Sequence, residues 1–152
     1  MYAKKTIAVN RKALSSYFIE ETIEAGIVLK GSEVKSLRVN GCNISDSHAD
    51  FSKSEIILFN LNIPKYKQAN GFASHEPKAV RKLLLKKSEA RKFIGKIKQK
   101  GYTLIVLSIY FNQKNIVKLE LALAKGKKLH DKREDIKQKD WAKTRARILR
   151  NK

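Results

Sequence analysis

The sequence predicts a mainly β protein whose antiparallel strands close into a barrel-like sheet. Three observations support this fold class: several short runs rich in β-branched and aromatic residues, glycines where strands bend, and short helical patterns, two or three in number. This combination favours a closed antiparallel sheet over a layered α/β fold. We expect one domain over residues 1–124, followed by a basic tail over residues 125–152.

The N-terminal part is predicted to contain a basic arm and one long strand. Residues 1–16 have the composition of a loosely held arm, with a short strand at residues 6–9. The run from 17 to 29 is rich in β-branched and aromatic residues and lacks a helical period, which predicts a long strand. Gly26 lies where a bulge or sharp bend would carry this strand round a barrel corner.

A short helix and a hairpin are expected next. Gly31-Ser32 offers a turn and an N-cap for a helix over residues 33–38, and Asn40-Gly41 is a turn signal. The partial alternation over residues 43–51 and the apolar run at 55–59 flank a polar turn, which predicts the two strands of a hairpin.

The second half begins with a long loop and an amphipathic helix. Both prolines fall within residues 64–80, which predicts a loop, and loops of this length in small domains are often functional. Ser88 is a candidate N-cap for a helix that runs to about Gln99. Four apolar residues follow the spacing of one buried helix face: Ala90, Phe93, Ile94 and Ile97. Two strands, 102–111 and 116–123, then flank a polar turn and form the clearest hairpin of the chain.

Charge is the strongest compositional feature. The net charge is +20 at pH 7, from 34 Lys or Arg against 14 Asp or Glu. The 28-residue tail holds twelve of the basic and four of the acidic residues, a net +8, which leaves +12 on the body. Such charge indicates a polyanionic partner, with nucleic acid favoured over an acidic membrane surface. The tail lacks the continuous apolar face that an interfacial helix needs, so no membrane binding is expected.

Redox state and compartment also follow from the composition. Cys42 is the only cysteine, so an intrachain disulfide is impossible and a reducing cytosol fits. The N-terminus lacks the apolar segment of a signal peptide, and no stretch reaches the roughly 20 apolar residues of a spanning helix. We therefore expect a soluble cytoplasmic protein that acts as a monomer.

Catalytic and metal-binding patterns are weak. His48, His75 and His130 are widely spaced and lack neighbouring cysteines or carboxylates at zinc-finger spacing. Residues Ser45 to His48 include triad residue types, but neighbours on a strand point to opposite faces and cannot assemble a triad. His130 and Glu134 would lie one helical turn apart, yet two ligands among many lysines make a poor metal site. We expect no enzyme activity, no metal and no cofactor.

The arm and the long strand contain candidate nucleic-acid contacts. Asn10, Arg11 and Lys12 are either a solvated arm or a phosphate clamp, and the net charge favours the clamp. Glu24, beside Gly26, is either a solvated strand carboxylate or an acceptor for a hydrogen bond from a base edge. The tyrosines are more typical of core or cross-strand packing than of base stacking, so none is selected.

The tail has two interpretations. Its apolar residues, among them Ile136 and Trp141, are spaced too irregularly for an amphipathic stripe, as in a disordered solubilising tail. Alternatively the tail folds on RNA, with lysines and arginines on phosphates and His130 or Trp141 stacked on bases. Trp141 favours the second interpretation, because disordered solubilising tails seldom keep a tryptophan.

Six short motifs, in the same order along the chain, resemble the SsrA-binding protein family, also called small protein B. They lie at residues 24–27, 33–38, 43–47, 81–85, 100–103 and, in the tail, 124–137. The resemblance runs from about residue 7 to residue 148, and six motifs in register are highly specific although each alone is weak. Ala79, Lys86 and His48 stand where Arg, His and Tyr are frequent in the family, so RNA contacts are not carried over at these three positions.

The resemblance implies both a fold and a role. The implied fold is an antiparallel barrel like the oligonucleotide/oligosaccharide-binding (OB) fold, with flanking helices and a tail that is unstructured when free. The implied role is that of a non-catalytic adaptor. Members bind the tRNA-like domain of transfer-messenger RNA and bring it to ribosomes stalled on truncated messages for trans-translation. The implied partners are transfer-messenger RNA and the stalled 70S ribosome with its ribosomal RNA.

The resemblance also assigns candidate site residues. Asn10, Glu24, Leu84 and Lys118 fall where the family contacts transfer-messenger RNA, and Arg11 joins them from the arm. The tail is expected to enter the decoding site and the empty message channel as a helix. Its candidate ribosome-engaging residues are Lys127, Lys128, His130, Asp131, Lys132, Arg133, Ile136, Lys137 and Trp141.

Two rival functions stay open on the sequence. A generic ribosomal or RNA-chaperone barrel would bind any structured RNA of equal length with similar affinity. An RNA-processing enzyme would need a metal or acid–base cluster, which the sequence does not show. The first rival differs from the adaptor only in RNA preference, so a comparison of RNAs separates the two.

Overall fold

The structure is a computed structural model that describes residues 5–67, 75–99 and 101–126. These residues form seven strands and three helices, which supports the predicted mainly β class. The strands are β1 Lys5–Val9, β2 Tyr17–Ile27, β3 His48–Ser52, β4 Glu55–Phe59, β5 Arg81–Leu84, β6 Tyr102–Phe111 and β7 Val117–Gly126. The helices are α1 Lys12–Ser16, α2 Gly31–Asn40 and α3 Lys87–Ile97.

All strand pairs are antiparallel, and the sheet closes on itself. The strand order is β1-β6-β3-β4-β5-β2-β7, and β7 pairs again with β6. Six strands, β2 to β7, therefore form a ring. On one side of β6, strand β3 pairs with the N-terminal half of β6 and β1 pairs with the C-terminal half of β6. Closure of this kind leaves no unpaired edge within the ring, so the predicted closed sheet is confirmed.

The main hydrophobic core fills the inside of the barrel. Alternate residues of β7 point inward and are at most 5% exposed: Val117, Leu119, Leu121 and Leu123. Helix α3 adds Phe93, which is 1% exposed. The other three residues of its predicted apolar face pack against this core: Ala90, Ile94 and Ile97. The helix face predicted from spacing is confirmed.

A second apolar cluster lies on the outside of the barrel beneath α1. Ala13 of α1 packs against Ile105, Ala122 and Ala124. Small alanine side chains on β7 let the helix approach the sheet closely. Helix α1 is absent from the predicted arm of residues 1–16, because a five-residue helix with one buried residue leaves no detectable period in the sequence.

Both longer helices begin with an N-cap two residues before the predicted one. The Glu33 Oε1 atom accepts a hydrogen bond from the backbone N–H of Lys30 at 3.0 Å. In α3, Glu89 Oε1 accepts from the N–H of Lys86 at 3.2 Å. Glutamates at the third helical position thus satisfy the free N–H groups. They replace the predicted serine caps, Ser32 and Ser88.

The irregularity in β2 does not lie at Gly26. Its register against β7 shifts between Ile19 and Glu21, so the bulge is near the start of the strand. Gly26 is instead the residue at which β2 pairs with two strands, opposite Leu84 and Lys118. A Cβ atom at Gly26 would lie 3.2 Å from the Leu84 Cβ, so the glycine permits the close approach of β5.

Both predicted hairpins are present, and one strand was not predicted. Ser52 pairs with Glu55 across a two-residue turn in which Lys53 has a φ of 60°. Strands β6 and β7 pair from Tyr102 to Phe111, and β7 ends at Gly126, two residues beyond the predicted end of the domain. Strand β5 has only four residues, which is too short for a periodic signal.

A buried ion pair ties α2 to the barrel. The Arg81 Nε atom donates a hydrogen bond to Glu33 Oε2, and both side chains are at most 5% exposed. The guanidinium also donates to the carbonyl of Leu61 at 2.6 Å and to that of Pro77 at 3.1 Å. Charged groups at this depth need such complete pairing, so the network holds α2 and the loop after β4 in place.

The predicted loop of residues 64–80 has a structural anchor. His75 is buried, with Nδ1 2.9 Å from Ser32 Oγ and Nε2 3.0 Å from the carbonyl oxygen of Ile63. These two contacts hold the end of the loop against α2 and the chain after β4.

Cys42 is half-buried in the structure. Burial raises the pKa of its thiol to about 11, against the opposing effect of Arg81. The thiol therefore stays protonated at neutral pH.

Candidate nucleic-acid interface

Three of the residues predicted to contact RNA come from three strands and meet on the outer face of the barrel. Leu84 of β5 pairs with Gly26 of β2, Gly26 pairs with Lys118 of β7, and Lys118 pairs with Tyr110 of β6. Residues paired directly across strands present their side chains on one face. Glu24 lies two residues before Gly26 and shares that face. We call Glu24, Gly26, Leu84, Tyr110 and Lys118 the Glu24 surface.

The alternation of each strand directs this surface outward. The residues next to its members belong to the barrel core: Ala25, Ile27, Leu83 and Leu119. Because successive strand residues point to opposite faces, the members of the Glu24 surface face away from the core. Leu84 is accordingly 52% exposed, so its side chain is accessible to a ligand on the outer face.

A hydrogen bond orients Glu24. The hydroxyl of Tyr110 donates to Glu24 Oε2, although Tyr110 lies on β6 and Glu24 on β2 with β7 between them. Burial raises the pKa of the Tyr110 phenol above its ordinary 10, and the carboxylates of Glu24 and Glu120 raise that pKa further. The phenol therefore remains a donor at physiological pH. One oxygen of Glu24 is held, and the carboxylate keeps further acceptor capacity.

Gly26 also lies beside the ammonium group of Lys118. An ideal Cβ atom at Gly26 would lie 3.5 Å from Lys118 Nζ. Among the described residues, no carboxylate oxygen lies within 4.0 Å of this ammonium. The Glu24 surface thus places a carboxylate acceptor, an ammonium donor and the exposed Leu84 side by side.

This combination suits an RNA ligand. An ammonium group binds phosphate without regard to sequence. A carboxylate accepts hydrogen bonds from base amino groups or a ribose 2′-hydroxyl, so it contributes selectivity. An exposed leucine packs against a sugar or an unstacked base. Glu24, Lys118 and Leu84 therefore supply three complementary kinds of RNA contact.

Asn10 and Arg11 lie apart from the Glu24 surface. Val9 of β1 pairs with Ser108 of β6, Ser108 pairs with Glu120 of β7, and Glu120 pairs with Glu24 of β2. The arm is therefore three strand spacings, roughly 14 Å, from Glu24. Asn10 is only 6% exposed, and its Nδ2 donates to the carbonyl of Val106 at 3.1 Å.

The backbone N–H of Asn10 donates a hydrogen bond to the carbonyl of Leu107, within the bulge of β6 between Val106 and Ser108. Asn10 therefore stabilises this bulge. Its Oδ1 has no hydrogen-bond partner in the described part of the chain. Arg11 next to it is exposed at the N-cap of α1. RNA contact at Asn10 and Arg11 remains a prediction, with Arg11 the more accessible of the two.

The remaining sequence candidates fall outside the described residues or away from the surface. The tail residues 127–152, which include every predicted ribosome-engaging position, lie outside the described residues. His48 is exposed and stacks on Phe59, with ring centroids 5.5 Å apart.

Within residues 5–67, 75–99 and 101–126, no cluster of three His, Cys, Asp or Glu could hold a metal. No helix in the same ranges is long and apolar enough to cross a membrane.

Sequence reasoning missed two members of the Glu24 surface. The sequence predicts packing roles for the tyrosines, Tyr110 among them, and a bend or bulge at Gly26. The predicted hairpin indicates the partner of Tyr110 only to within one residue. Its bounds bring Tyr110 opposite Val117, whereas the observed turn is one residue longer and brings Tyr110 opposite Lys118. No comparable local signal exists for Gly26, whose neighbours Leu84 and Lys118 come from distant strands.

Fold and surface together define a class of protein. A small closed antiparallel barrel with strong positive charge and a polar outer surface is typical of RNA-binding proteins of the OB type. The family model described as "SmpB protein" matches residues 7–151 of this chain. The chain belongs to the SmpB family, which confirms the resemblance inferred from the six motifs.

Individual relatives agree with this assignment. The chain is 57% identical to the SsrA-binding protein of Rickettsia bellii (strain OSU 85-389) over 152 residues, which cover 100% of both chains. It is 57% identical to the SsrA-binding protein of Rickettsia conorii over 149 residues, or 98% of this chain and 97% of the relative. A solved chain described as "tmRNA-SmpB: a journey to the center of the bacterial ribosome" is 45% identical with a TM-score of 0.68. That match covers 85% of this chain and 93% of the solved one.

Proposed function

We propose that this chain is a non-catalytic RNA-binding adaptor that binds the tRNA-like domain of transfer-messenger RNA and delivers it to stalled ribosomes for trans-translation. Its relatives are named SsrA-binding proteins, and a solved relative is described with tmRNA and the bacterial ribosome. The observation that carries the proposal is the convergence of Glu24, Leu84 and Lys118 from three strands onto one outer face. The family resemblance implies contact with this RNA at these three positions.

The members of the Glu24 surface have distinct roles in this proposal. Lys118 binds a phosphate, and Leu84 packs against a sugar or base. Glu24 accepts a hydrogen bond from a base or 2′-hydroxyl, and Tyr110 holds it in the required orientation. Since phosphates occur in every RNA, the preference for one RNA comes from Glu24 and from shape rather than from charge.

The tail performs the second part of the proposed function. Its 28 residues carry a net +8, which suits the phosphate-lined decoding site and message channel of a ribosome in the cytoplasm. We expect His130, Asp131, Lys132 and Arg133 to engage the decoding region. The residues after them would occupy the empty message channel.

A competition experiment tests the first part. Labelled tRNA-like domain of transfer-messenger RNA is bound at about 0.15 M salt, where loose electrostatic binding is screened, and challenged with excess unlabelled tRNA or ribosomal RNA fragments. The complex is expected to survive the challenge. If every RNA competes equally, the generic RNA-binding barrel is the correct interpretation instead.

Truncation after Lys128 tests the second part. The truncated chain is expected to bind the tRNA-like domain with nearly unchanged affinity and to lose rescue of ribosomes stalled on truncated messages. Peptide tagging in a reconstituted translation system measures rescue. A collapse of RNA binding in the truncated chain would show that barrel and tail do not divide the work in this way.

A further inference from the structure

A cleft of about 430 Å³ adjoins the Glu24 surface. Strands β4 and β5 pair at only two positions, Ile57 with Lys82 and Leu58 with Arg81. The cleft lies between the start of β4, the end of β5 and the first residues of α3, where the two strands no longer pair. Leu84 lines this cleft and also belongs to the Glu24 surface. We call it the β4–β5 cleft.

The lining is apolar at the walls and positively charged at the rim. The apolar contributors are Ile56, Leu83, Leu84, Leu85 and Ala90. The rim carries Lys82, Lys87 and Arg91, against Glu55 as the one lining carboxylate. Glu55 forms a salt bridge with Lys82, whose ammonium nitrogen lies 2.9 Å from Glu55 Oε1. For Lys87 and Arg91, no described carboxylate lies within 4.0 Å, so both charges are available to a ligand.

We propose that the β4–β5 cleft takes one unpaired nucleotide of the RNA that binds the Glu24 surface, an inference that rests on the proposed function. The volume lies in the range of small-ligand sites, about 300–1,000 Å³. The apolar walls suit a base or sugar, and the guanidinium plane of Arg91 suits stacking. The uncompensated charge of Lys87 and Arg91 suits the phosphate.

Continuity with the Glu24 surface favours RNA over another anionic partner. A strand lying across Leu84 reaches Lys118 on one side and the cleft on the other. Glu24 and Glu55 stand on the two sides of Leu84. The carboxylate oxygens that Tyr110 and Lys82 leave free can accept hydrogen bonds from base amino groups, which the acidic side chains of a peptide do not offer. The cleft is too small for a base-paired segment, so the nucleotide it takes is unstacked from its neighbours.

Two matched variants test this assignment in the full-length chain. Arg91→Gln removes a cleft cation, and Lys98→Gln removes an exposed cation that follows α3 and does not line the cleft. Neither residue makes a salt bridge among the described residues, and the Lys98 ammonium group lies only over the Phe51 ring, 5.6 Å from its centroid, so both variants should fold. The ligand is the tRNA-like domain of transfer-messenger RNA. Affinity is titrated at several salt concentrations, and 2′-hydroxyl acylation reports which nucleotides the protein protects.

We expect Arg91→Gln to raise the Kd about fivefold and to lower the salt slope by about one. One unpaired nucleotide should regain full reactivity in that complex, while the other protected positions stay protected. Lys98→Gln should leave the protection pattern as in the wild type. Equal effects of the two variants, or a change confined to paired nucleotides, would overturn the assignment of the cleft.

The wild-type chain separates this inference from the function on which it rests. Titration of the wild type with bulk tRNA in the same series measures its RNA preference. If the wild type prefers the tRNA-like domain but Arg91→Gln behaves as Lys98→Gln does, only the cleft assignment fails. If the wild type has no preference, the proposed function fails and the cleft assignment falls with it.

Discussion

The hydroxyl of Tyr110 donates a hydrogen bond to the carboxylate of Glu24 across strand β7. The bond joins two strands that are not neighbours, roughly 10 Å apart at two strand spacings. It fixes one carboxylate oxygen on an otherwise exposed side chain. An acceptor held in this way loses less conformational entropy when a ligand binds, which favours selective recognition.

Glu24→Ala should weaken binding of the tRNA-like domain of transfer-messenger RNA by about tenfold, within the roughly 1–3 kcal/mol of a specific base contact. Binding of bulk tRNA should stay equal or tighten slightly, because one negative charge is lost. Filter binding with both RNAs measures the difference. Glu76→Ala removes another exposed carboxylate and is the control. Equal losses with both RNAs would contradict the role given to Glu24.

Tyr110→Phe should reduce affinity for the same RNA in the same direction as Glu24→Ala but by less, about threefold, because the carboxylate remains and only its orientation is released. The double variant should lose no more than Glu24→Ala alone, since the hydroxyl acts through that carboxylate. Tyr66→Phe is the control, because its hydroxyl has no hydrogen-bond partner among the described residues. Additive losses in the double variant would show that Tyr110 does not act through Glu24.

The Tyr110–Glu24 pair also predicts a pH dependence of stability. The pKa of Tyr110 is raised above 10 in the folded chain, so folding favours the protonated phenol. This contribution to the free energy of unfolding is complete below about pH 10 and is lost as the pH rises through the folded pKa. Urea denaturation from pH 9 to pH 11 should show a steeper loss for the wild type than for Tyr110→Phe. Parallel curves would mean that the phenol is not stabilised as described.

Two glycine substitutions should have opposite effects on stability. In Gly26→Ala the new Cβ lies 3.2 Å from the Leu84 Cβ, which is tighter than ordinary contact, so β5 must shift by a few tenths of an ångström. The distance of 3.5 Å to Lys118 Nζ is ordinary contact. We expect a destabilisation of about 1–2 kcal/mol and weaker RNA binding. Gly95→Ala, in α3, meets no atom within 4 Å and should stabilise the chain by about 0.5–1 kcal/mol. Urea denaturation distinguishes them, and a shared sign would refute the close approach at Gly26.

Adjacent residues of β5 should differ strongly in their contribution to stability. Arg81→Ala leaves the buried carboxylate of Glu33 without its cationic partner, with only the Lys30 N–H still bonded to it, and should cost about 3–5 kcal/mol. Lys82→Ala removes a pair with Glu55 in which both side chains are about half exposed, and should cost less than about 1 kcal/mol. The free energies of unfolding in urea give the comparison. Similar values for the two variants would show that the Arg81–Glu33 network adds little.

Much of the fold was predictable because its signals are local. The hairpin of β6 and β7 follows from two apolar runs around a polar turn, and the buried face of α3 follows from the spacing that ends at Ile97. The features that the sequence did not predict correctly have physical causes. Helix α1 and strand β5 are too short to show a period, and glutamates replace the expected serine caps. The bulge of β2 falls near Glu21, where nothing in the composition marks it.

The candidate site was less accessible to sequence reasoning. The residues alone selected Glu24, Asn10, Arg11 and Lys12, and only the family resemblance added Leu84 and Lys118. Burial of Asn10 was not predictable, because its partners are the carbonyl groups of a bulge in β6. Side chains that depend on such backbone partners carry no local sequence signal.

The mainly β class, the concentration of positive charge in the body and tail, and the family are all encoded in composition, in periodicity or in short motifs. The row that Leu84, Gly26, Lys118 and Tyr110 form on the outer face is not encoded locally and emerges only when the chain folds. Gly26 is 58 positions from Leu84 and 92 from Lys118, and the register that joins them depends on closure of the whole barrel.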